Sequence, residues 1–280
     1  MDNYSVLMSV YYKENPEYLR LSIESMLRQT IKPEEFIIVK DGQLTKVLDE
    51  VINSYVKRYK ELFTIIQLEK NGGLGRALNY GISASRNELI ARMDSDDISL
   101  SNRCYQELKE FEKNEKLTIV GGQINEFIEM PDNIVGARKV PLEYDEIKTF
   151  AKRRSPFNHP TVMYKKSKVI ECGGYSEYGR KEDLDLFIRM INKGYYAKNL
   201  DEVLLLYRTS KENLQRRKNW INCSEYIAVM YKFYKMKYIG TLDLCYVIFG
   251  QLVMFIMPEC IVNILSNRFL RNKVEIKKDN

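Results

Sequence analysis

The sequence predicts an α/β fold with a mostly parallel central sheet, helices on both faces of the sheet, and a helical extension at its C-terminal end. Strand-like and helix-like segments alternate four times in about the first 95 residues, as a parallel sheet with right-handed crossovers requires. Acidic or glycine-rich residues follow several of these strands, at the edge where open α/β sheets bind ligands. From Asn213 the pattern is helical almost to the end.

The elements of the first half can be assigned in order. Runs of strand-forming residues predict four strands, Tyr4–Val10, Phe36–Val39, Phe63–Leu68 and Leu89–Met93. Asn15 followed by Pro16 is typical of a helix start, because Asn caps the first turn and Pro fits its backbone angle. Further helices are predicted over Val47–Tyr59 and, after a glycine-rich turn at Asn71–Gly75, over Arg76–Ser85.

The second half is less regular. Apolar runs predict three more strands, at Thr118–Phe127, His159–Tyr164 and Val203–Tyr207. A loop is expected at Arg153–Asn158. A helix is expected over Leu184–Asn192, where Gly194 ends it.

The bulk composition is that of a globular intracellular protein. The 280 residues are enough for one large domain or for one domain with an appendage, and 45% of them are hydrophobic. The five cysteines are widely spaced and odd in number, which argues against a disulfide framework or a zinc site and fits a reducing cytosol. The N-terminus lacks the basic and apolar regions of a signal peptide, so we expect a cytoplasmic location.

The net charge of +6 is concentrated in one segment. Residues 206–240 contain eight basic and two acidic residues, so the rest of the chain is about neutral. A basic segment next to an apolar one indicates contact with anionic lipid, although a solvated helix face has the same pattern. No nucleic-acid-binding motif accompanies the charge, so nucleic acid is not expected as a partner. We place a domain boundary here, with a catalytic domain over residues 1–210 and a basic helical extension over residues 211–280.

The extension contains an apolar segment, Leu244–Met257, which Pro258 interrupts. A spanning helix needs about 20 apolar residues, so the segment is short for a membrane crossing. We favour a helix pair that lies on the inner face of the cell membrane. A buried core helix, or a kinked span that continues through Cys260–Leu265, remains an alternative.

The strand Leu89–Met93 runs directly into three acidic residues, Asp94, Asp96 and Asp97. Two aspartates one residue apart at a strand end can hold a divalent cation, because hard cations prefer oxygen ligands, and such a cation can carry a diphosphate. Acids ahead of a helix also serve as N-caps, and Asp97 or Ser99 could have that function instead.

Four features are predicted to share one edge of the sheet. They are Ser9–Tyr11, Asp41–Gly42, the turn Asn71–Gly75, and Asp94–Asp96. Each is a weak signal alone, and the glycine-rich turn matches neither standard phosphate-binding fingerprint. Their convergence is nevertheless what a nucleotide pocket requires.

At this point the sequence resembles the family 2 glycosyltransferases, which have the GT-A fold and use nucleotide-diphosphate sugars. The matching segments occur in order, at Ser5–Tyr11, Ser25–Thr30, Ile38–Gly42, Asn71–Gly75, Ala91–Asp97, Asn158–Met163, Gly173–Tyr175 and Glu182–Leu186. The closest subgroup contains bacterial enzymes of capsule, exopolysaccharide and O-antigen assembly. The resemblance implies a UDP-sugar donor, manganese or magnesium as cofactor, and a lipid-linked oligosaccharide as acceptor.

The resemblance also implies residue roles on the donor side. Asp94 and Asp96 match the family's Asp-x-Asp motif, which contacts the ribose and holds the metal on the diphosphate. Asp41 matches the acid that bonds the base, and Ser9 and Tyr11 would line the base pocket. Donor contacts are further expected from Gly73, Asn79 and Arg92. Many relatives carry Arg just before this Asn, where the present chain has Leu78, and Arg76 or Arg92 can substitute for it.

On the acceptor side, Asp183 matches the catalytic base of the family's Glu-Asp motif, with Glu182 beside it. Such a base takes the proton from the attacking hydroxyl, and direct displacement with one base inverts the anomeric centre. The helix start is expected to lower the pKa of Asp183. Alternatively, Glu182 and Asp183 are only capping acids of the first helical turn and have no catalytic role. His159 and Tyr175 are assigned to the acceptor side, while a purely structural role for His159 remains open.

Two other functions fit the sequence less well. A nucleotidyltransferase would need a basic triphosphate loop, for which only Lys13 and Arg20 are present near residues 10–20. A non-catalytic module that binds sugar nucleotides or membranes would not need Asp94, Asp96 and Asp183. Processive synthases of this family carry a Gln-x-x-Arg-Trp motif. Gln215–Trp220 contains these residue types at a different spacing, which favours transfer of a single sugar.

Overall fold

The computed structural model describes residues 2–177, 179–210 and 219–257. The strands are β1 (Tyr4–Val10), β2 (Glu35–Lys40), β3 (Phe63–Gln67), β4 (Leu89–Met93), β5 (Ile98–Ser99), β6 (Leu117–Phe127), β7 (Ile134–Arg138), β8 (Met163–Lys165) and β9 (Tyr196–Arg208). The helices are α1 (Pro16–Leu27), α2 (Lys46–Arg58), α3 (Leu74–Ala84), α4 (Arg103–Lys113), α5 (Tyr144–Ala151), α6 (Lys166–Glu171), α7 (Glu182–Asn192), α8 (Trp220–Lys235) and α9 (Thr241–Ile256).

All the strands belong to one sheet, in the order β3-β2-β1-β4-β8-β6-β9-β5, with β7 paired to β6. The first four strands are mutually parallel, as the alternating strand and helix pattern predicts. In the other half, β8 is antiparallel to both β4 and β6, whereas β6 and β9 run parallel. The predicted α/β fold class is therefore confirmed, with antiparallel pairings confined to the second half.

Helices cover both faces of the sheet. Val6 and Met8 of β1 pack in one apolar cluster with α1, α2 and α4, while Leu7 packs in a second cluster with α3 and α7. Side chains alternate between the faces of a strand, so β1 feeds both cores. This double burial explains why the first strands read as nearly continuous apolar runs.

Two sequence predictions in the second half were inaccurate. The predicted strand His159–Tyr164 begins instead as a 3-10 turn over His159–Thr161, and β8 starts only at Met163. Pro160 accounts for the difference, because it lacks an N–H for the ladder and has a fixed φ. The predicted strand Val203–Tyr207 extends from Tyr196 to Arg208, since β6 offers a partner along its whole length.

The predicted C-terminal helix is two helices, α8 and α9, which are separated at residues 236–240. Lys237 has a φ of 60°, which ends the first helix. Leu244 and Val247 of α9 pack with Met230 of α8 and with Leu184 of α7. The extension therefore packs against the sheet domain. The domain boundary at residue 210 remains a prediction.

Within the described ranges, every helix falls short of the length and apolar character that a bilayer crossing needs. The basic residues at 211–218 and the apolar segment Cys260–Leu265 lie outside the described residues, as does most of the Gln215–Trp220 segment.

Candidate active site

The carboxyl ends of β1, β2, β3 and β4 lie at one edge of the sheet, because these strands are parallel. This brings together Ser9, Asp41 and Asp94, as the sequence predicts, and leaves Tyr11 38% exposed beside them. The predicted contacts of Ser9 and Tyr11 with a base stay predictions.

Asp41 is buried and holds the glycine-rich turn. One of its carboxylate oxygens accepts a hydrogen bond from the Gly72 N–H at 2.7 Å, and the other accepts one from the Gly73 N–H at 3.0 Å. Gly73 has a φ of +89°, which favours glycine, and it precedes α3 without a side-chain cap. A carboxylate has further lone pairs, so the predicted bond of Asp41 to a base is compatible with this arrangement.

Glycine at position 75 allows α3 to lie directly against the segment that leads into α7. A Cβ atom on Gly75 would collide with the Ser176 carbonyl and lie 3.2 Å from the Cβ of Glu182. The glycine-rich turn and the Glu182–Asp183 pair are thus neighbours, although Gly75 and Glu182 are 107 positions apart in the sequence.

Asn79 links the same two segments. Its side-chain amide donates to the Tyr175 carbonyl at 2.9 Å and accepts from the Tyr175 N–H at 2.8 Å. Gly174, with a φ of +70°, makes this close approach possible, since a Cβ there would lie 2.5 Å from the Asn79 Oδ1. Asn79 therefore orients the loop before α7, and its predicted contact with a donor stays a prediction.

Asp94, Asp96 and Asp97 offer one carboxylate oxygen each within 4.8 Å of one another. The capping alternative is wrong, because α4 begins only at Arg103 and strand β5 intervenes. Asp97, which the sequence did not assign to the metal, accepts a hydrogen bond from the Arg208 N–H at 2.8 Å. Its other oxygen is buried without a hydrogen-bond partner among the described residues.

The protonation chemistry of this cluster suits a cation. Burial, followed by the negative charges of Asp94 and Glu14, raises the pKa of Asp96 to about 7. Burial and the neighbouring acids also raise the pKa of Asp97 well above its ordinary value. A divalent cation would offset this repulsion, and all-oxygen ligands suit manganese or magnesium. The residues therefore fit the expected metal.

Arg92 lies between the acidic cluster and α7. The side chain is buried, and its guanidinium group donates to both carboxylate oxygens of Asp94, at 2.7 and 2.5 Å. Burial raises the pKa values of Glu182 and Asp183, and the positive charge of Arg92 opposes that rise, so Arg92 acts on both groups of acids. The sequence suggested Arg92 only as a donor contact and did not reveal this central position.

Glu182 and Asp183 occupy the first turn of α7, as predicted, but their acidity differs from the prediction. Burial and the charge of Asp183 raise the pKa of Glu182 to about 7. Burial also raises the pKa of Asp183, although the Leu184 N–H and the charge of Lys181 act in the opposite direction. The lowered pKa expected from the helix start was therefore wrong, because desolvation outweighs the helix dipole.

His159 and Tyr175 contact each other in the wall of the site. The His159 Nε2 lies 2.9 Å from the Tyr175 hydroxyl, and the His159 ring packs edge-on against Phe187. Tyr175 is only 2% exposed. Burial and the charge of Arg92 hold the pKa of His159 well below its ordinary value. These contacts favour the structural interpretation of His159, and contact with an acceptor stays a prediction.

Two further residues adjoin the acidic cluster, and no motif in the sequence indicated them. Arg208 donates from Nε to the Asp96 carbonyl at 2.8 Å, and its guanidinium carbon lies 3.7 Å from the ring centroid of Tyr18. Glu14 accepts a hydrogen bond from the Ser95 hydroxyl. Because 112 positions separate Arg208 from Asp96, only the fold brings them together.

Comparison with known proteins assigns these features to a family. Residues 5–179 match the family model for glycosyl transferase family 2. The chain is 34% identical over 270 residues to the UDP-Gal:α-D-GlcNAc-diphosphoundecaprenol β-1,3-galactosyltransferase of Escherichia coli, covering 96% of each protein. It is 33% identical over 234 residues to the amylovoran biosynthesis glycosyltransferase AmsE of Erwinia amylovora, covering 84% of this chain and 85% of AmsE.

A solved structure supports the fold. The mannosyltransferase PcManGT of Pyrobaculum calidifontis, in complex with GDP-Man and Mn²⁺, matches with a TM-score of 0.64 at 13% identity. The match covers 90% of this chain and 70% of that protein. At this identity the likeness shows a shared GT-A architecture.

Proposed function

The chain belongs to glycosyl transferase family 2, and from that premise we propose that it moves one sugar from a nucleotide-diphosphate donor to a hydroxyl of a lipid-linked glycan, with inversion at the anomeric carbon. The donor is a UDP-sugar, and the product serves surface polysaccharide biosynthesis. The name of the E. coli relative, which contains UDP-Gal and a diphosphoundecaprenol acceptor, supports this choice of donor and acceptor class, and the name of the Erwinia amylovora relative supports a role in polysaccharide biosynthesis. Family membership favours an enzyme over the non-catalytic and nucleotidyltransferase alternatives.

One observation carries the proposal, namely the position of Arg92 between two groups of acids. It donates hydrogen bonds to Asp94, and its positive charge opposes the burial that raises the pKa of Asp183. Sugar transfer needs positive charge beside the departing diphosphate, which a cation held by the Asp94 group would supply. It also needs a carboxylate that accepts a proton, which the Asp183 group provides.

In the proposed reaction, Asp183 accepts the proton of the acceptor hydroxyl as its oxygen attacks the anomeric carbon. The bond from that carbon to the diphosphate oxygen breaks, and the nucleoside diphosphate departs with the bonding electrons. Asp94 and Asp96 would hold a divalent cation, which when bound supplies positive charge to the departing diphosphate. Asp41 keeps the glycine-rich turn in place beside the donor. Arg92 holds the Asp94 carboxylate in one orientation.

We further propose that the enzyme works on the inner face of the cell membrane, through α9. An exposed apolar stripe, formed by Leu242, Tyr246, Phe249, Leu252 and Ile256, lies on the side of α9 away from the core. Such stripes on water-exposed helices indicate a partner surface. Lys152, Lys235 and Lys237 surround a cavity of about 570 Å³ beside the start of α9, and this charge suits anionic lipid.

The donor proposal is tested by thermal denaturation with a panel of nucleotide sugars, in manganese and in EDTA. Ligands that bind only the folded state raise its melting temperature. We expect a UDP-sugar to stabilise the wild type in manganese alone, and Asp96→Ala to lose this response. Asp201→Asn, a change at an exposed acid, is the matched control. Manganese-dependent stabilisation that survives in Asp96→Ala would contradict the assignment of Asp96.

A further inference from the structure

A positive charge that the proposed reaction does not use lies just after α5, whose end packs against α7, the helix that carries Asp183. Arg154 follows α5 and is only partly exposed. Within residues 2–177, 179–210 and 219–257, its side chain forms neither an ion pair nor a hydrogen bond, and its guanidinium group packs over the ring of Phe150 at 5.2 Å. Burial lowers the pKa of Arg154, and the nearby charge of Arg138 lowers it further. A partly desolvated cation of this kind favours binding of an anion.

Tyr226 of α8 connects the segment of Arg154 with the surroundings of Asp183, the proposed base. The Tyr226 hydroxyl donates to the Arg153 carbonyl at 3.0 Å, and the Lys181 ammonium group lies 5.7 Å from the Tyr226 ring centroid. Burial raises the pKa of Tyr226; the charge of Arg154 opposes this rise, and the charge of Asp183 adds to it. Tyr226 is thus within electrostatic range of both groups.

The same segment contacts the start of α9. The neighbouring Arg153 forms an ion pair with Asp243 at 2.6 Å and packs over the ring of Tyr246 at 4.7 Å. Tyr246 belongs to the stripe, and it also influences the pKa of Arg154. Ala151, at the end of α5, packs with Leu184, which follows Asp183, and with Leu244 and Val247 of α9. The segment that carries Arg154 therefore adjoins both the helix of Asp183 and the helix of the stripe.

We propose that Arg154 binds the diphosphate that joins the acceptor's lipid to its sugar. The order of groups on such an acceptor is lipid, diphosphate, sugar hydroxyl, and the order in the protein is apolar stripe, Arg154, Asp183. A planar guanidinium group suits phosphate oxygens because it can donate two parallel hydrogen bonds. This inference rests on the proposed function, since it assigns a subsite to the acceptor of that reaction.

The test is calorimetric titration of the full chain with farnesyl diphosphate, compared with farnesyl monophosphate and farnesol. We expect the diphosphate to bind most tightly and Arg154→Gln to weaken its binding about 10- to 100-fold. Arg154→Lys should retain an intermediate affinity, and the exposed Arg58→Gln should behave as wild type. Melting temperatures of all variants show whether each one is folded.

Because farnesyl diphosphate also resembles part of the donor, the titration is repeated with Asp96→Ala in EDTA. Unchanged affinity there, with loss in Arg154→Gln, supports the subsite. Wild-type affinity in Arg154→Gln, or equal binding of farnesol and farnesyl diphosphate, would overturn it. A failure of the proposed function would look different, as absence of sugar transfer by a wild type that still binds farnesyl diphosphate through Arg154.

Discussion

At the scale of single residues, the site depends on how buried charges are paired. Both terminal nitrogens of Arg92 donate hydrogen bonds to the Asp94 carboxylate, which fixes the carboxylate in one orientation. Lysine carries the same charge but cannot make this two-pronged contact. The orientation of Asp94, and with it the binding of a donor, should therefore depend on arginine specifically.

We expect Arg92→Lys to raise the KM for the donor about tenfold or more, because a charge-assisted hydrogen bond is worth about 1.5–3 kcal/mol. The measurement is initial-rate kinetics at several manganese concentrations. Arg86→Lys is the matched control. Arg86 lies just before the start of β4, away from Asp94, and its side chain pairs with Glu35 while remaining 59% exposed. An unchanged donor KM in Arg92→Lys would show that the pairing with Asp94 has no part in binding.

The pH dependence of the rate follows from the burial of Asp183. The base must be ionised to accept a proton, and burial raises its pKa above the ordinary value. Activity should therefore be lost as the pH falls, with a midpoint above the ordinary aspartate pKa of about 3.9. The measurement is kcat/KM against pH, with circular dichroism at each pH to confirm folding. A midpoint at or below the ordinary value would contradict the buried position of the base.

At the scale of elements, local sequence predicted the first four strands and the three helices between them well. Their signals are short-range, such as Asn15, whose Oδ1 accepts from the Glu17 N–H at 2.8 Å at the start of α1. The length of β9 depends on pairing with β6, and the turn at His159–Thr161 depends on one proline. The placement of Arg208 against Asp96 could not be predicted, because no local pattern records a contact across the fold.

Gly75 connects two elements of the site, and its substitution tests their contact. Gly75→Ala would drive the Cβ into the Ser176 carbonyl and separate α3 from the start of α7. We expect a loss of stability of about 1–3 kcal/mol and reduced sugar transfer. Gly250→Ala, in α9, has open space around the new Cβ and should not lower stability. Urea denaturation and transfer assays measure both, and a fully active, stable Gly75→Ala protein would contradict the close contact.

At the scale of the whole molecule, the helical extension packs against the helix that begins at Glu182 and Asp183. Helix α9 is 16 residues long, about 24 Å, and is apolar on its exposed face as well as its buried one. Its buried face packs on α7, the helix that carries Asp183. Attachment of the exposed face to a membrane would bring a lipid-linked acceptor close to the base.

We expect Phe249→Ser to lower the fraction of protein that sediments with phosphatidylglycerol vesicles, since burial of one large apolar side chain is worth about 2 kcal/mol. Vesicles of phosphatidylcholine should bind the wild type less, because they lack the negative charge that complements Lys235 and Lys237. Met130→Ser is the control, as Met130 is 64% exposed outside the extension. Equal sedimentation of all three proteins would rule out docking through α9.

The central claim is that distant acids meet around one donor and that Asp183 is the base of the transfer. Its most direct test is the rate of transfer and the affinity for UDP of Asp183→Asn, measured beside Asp201→Asn. The account predicts that Asp183→Asn binds UDP as wild type does but transfers sugar about 100- to 10,000-fold more slowly. Transfer by Asp183→Asn at the wild-type rate would contradict it.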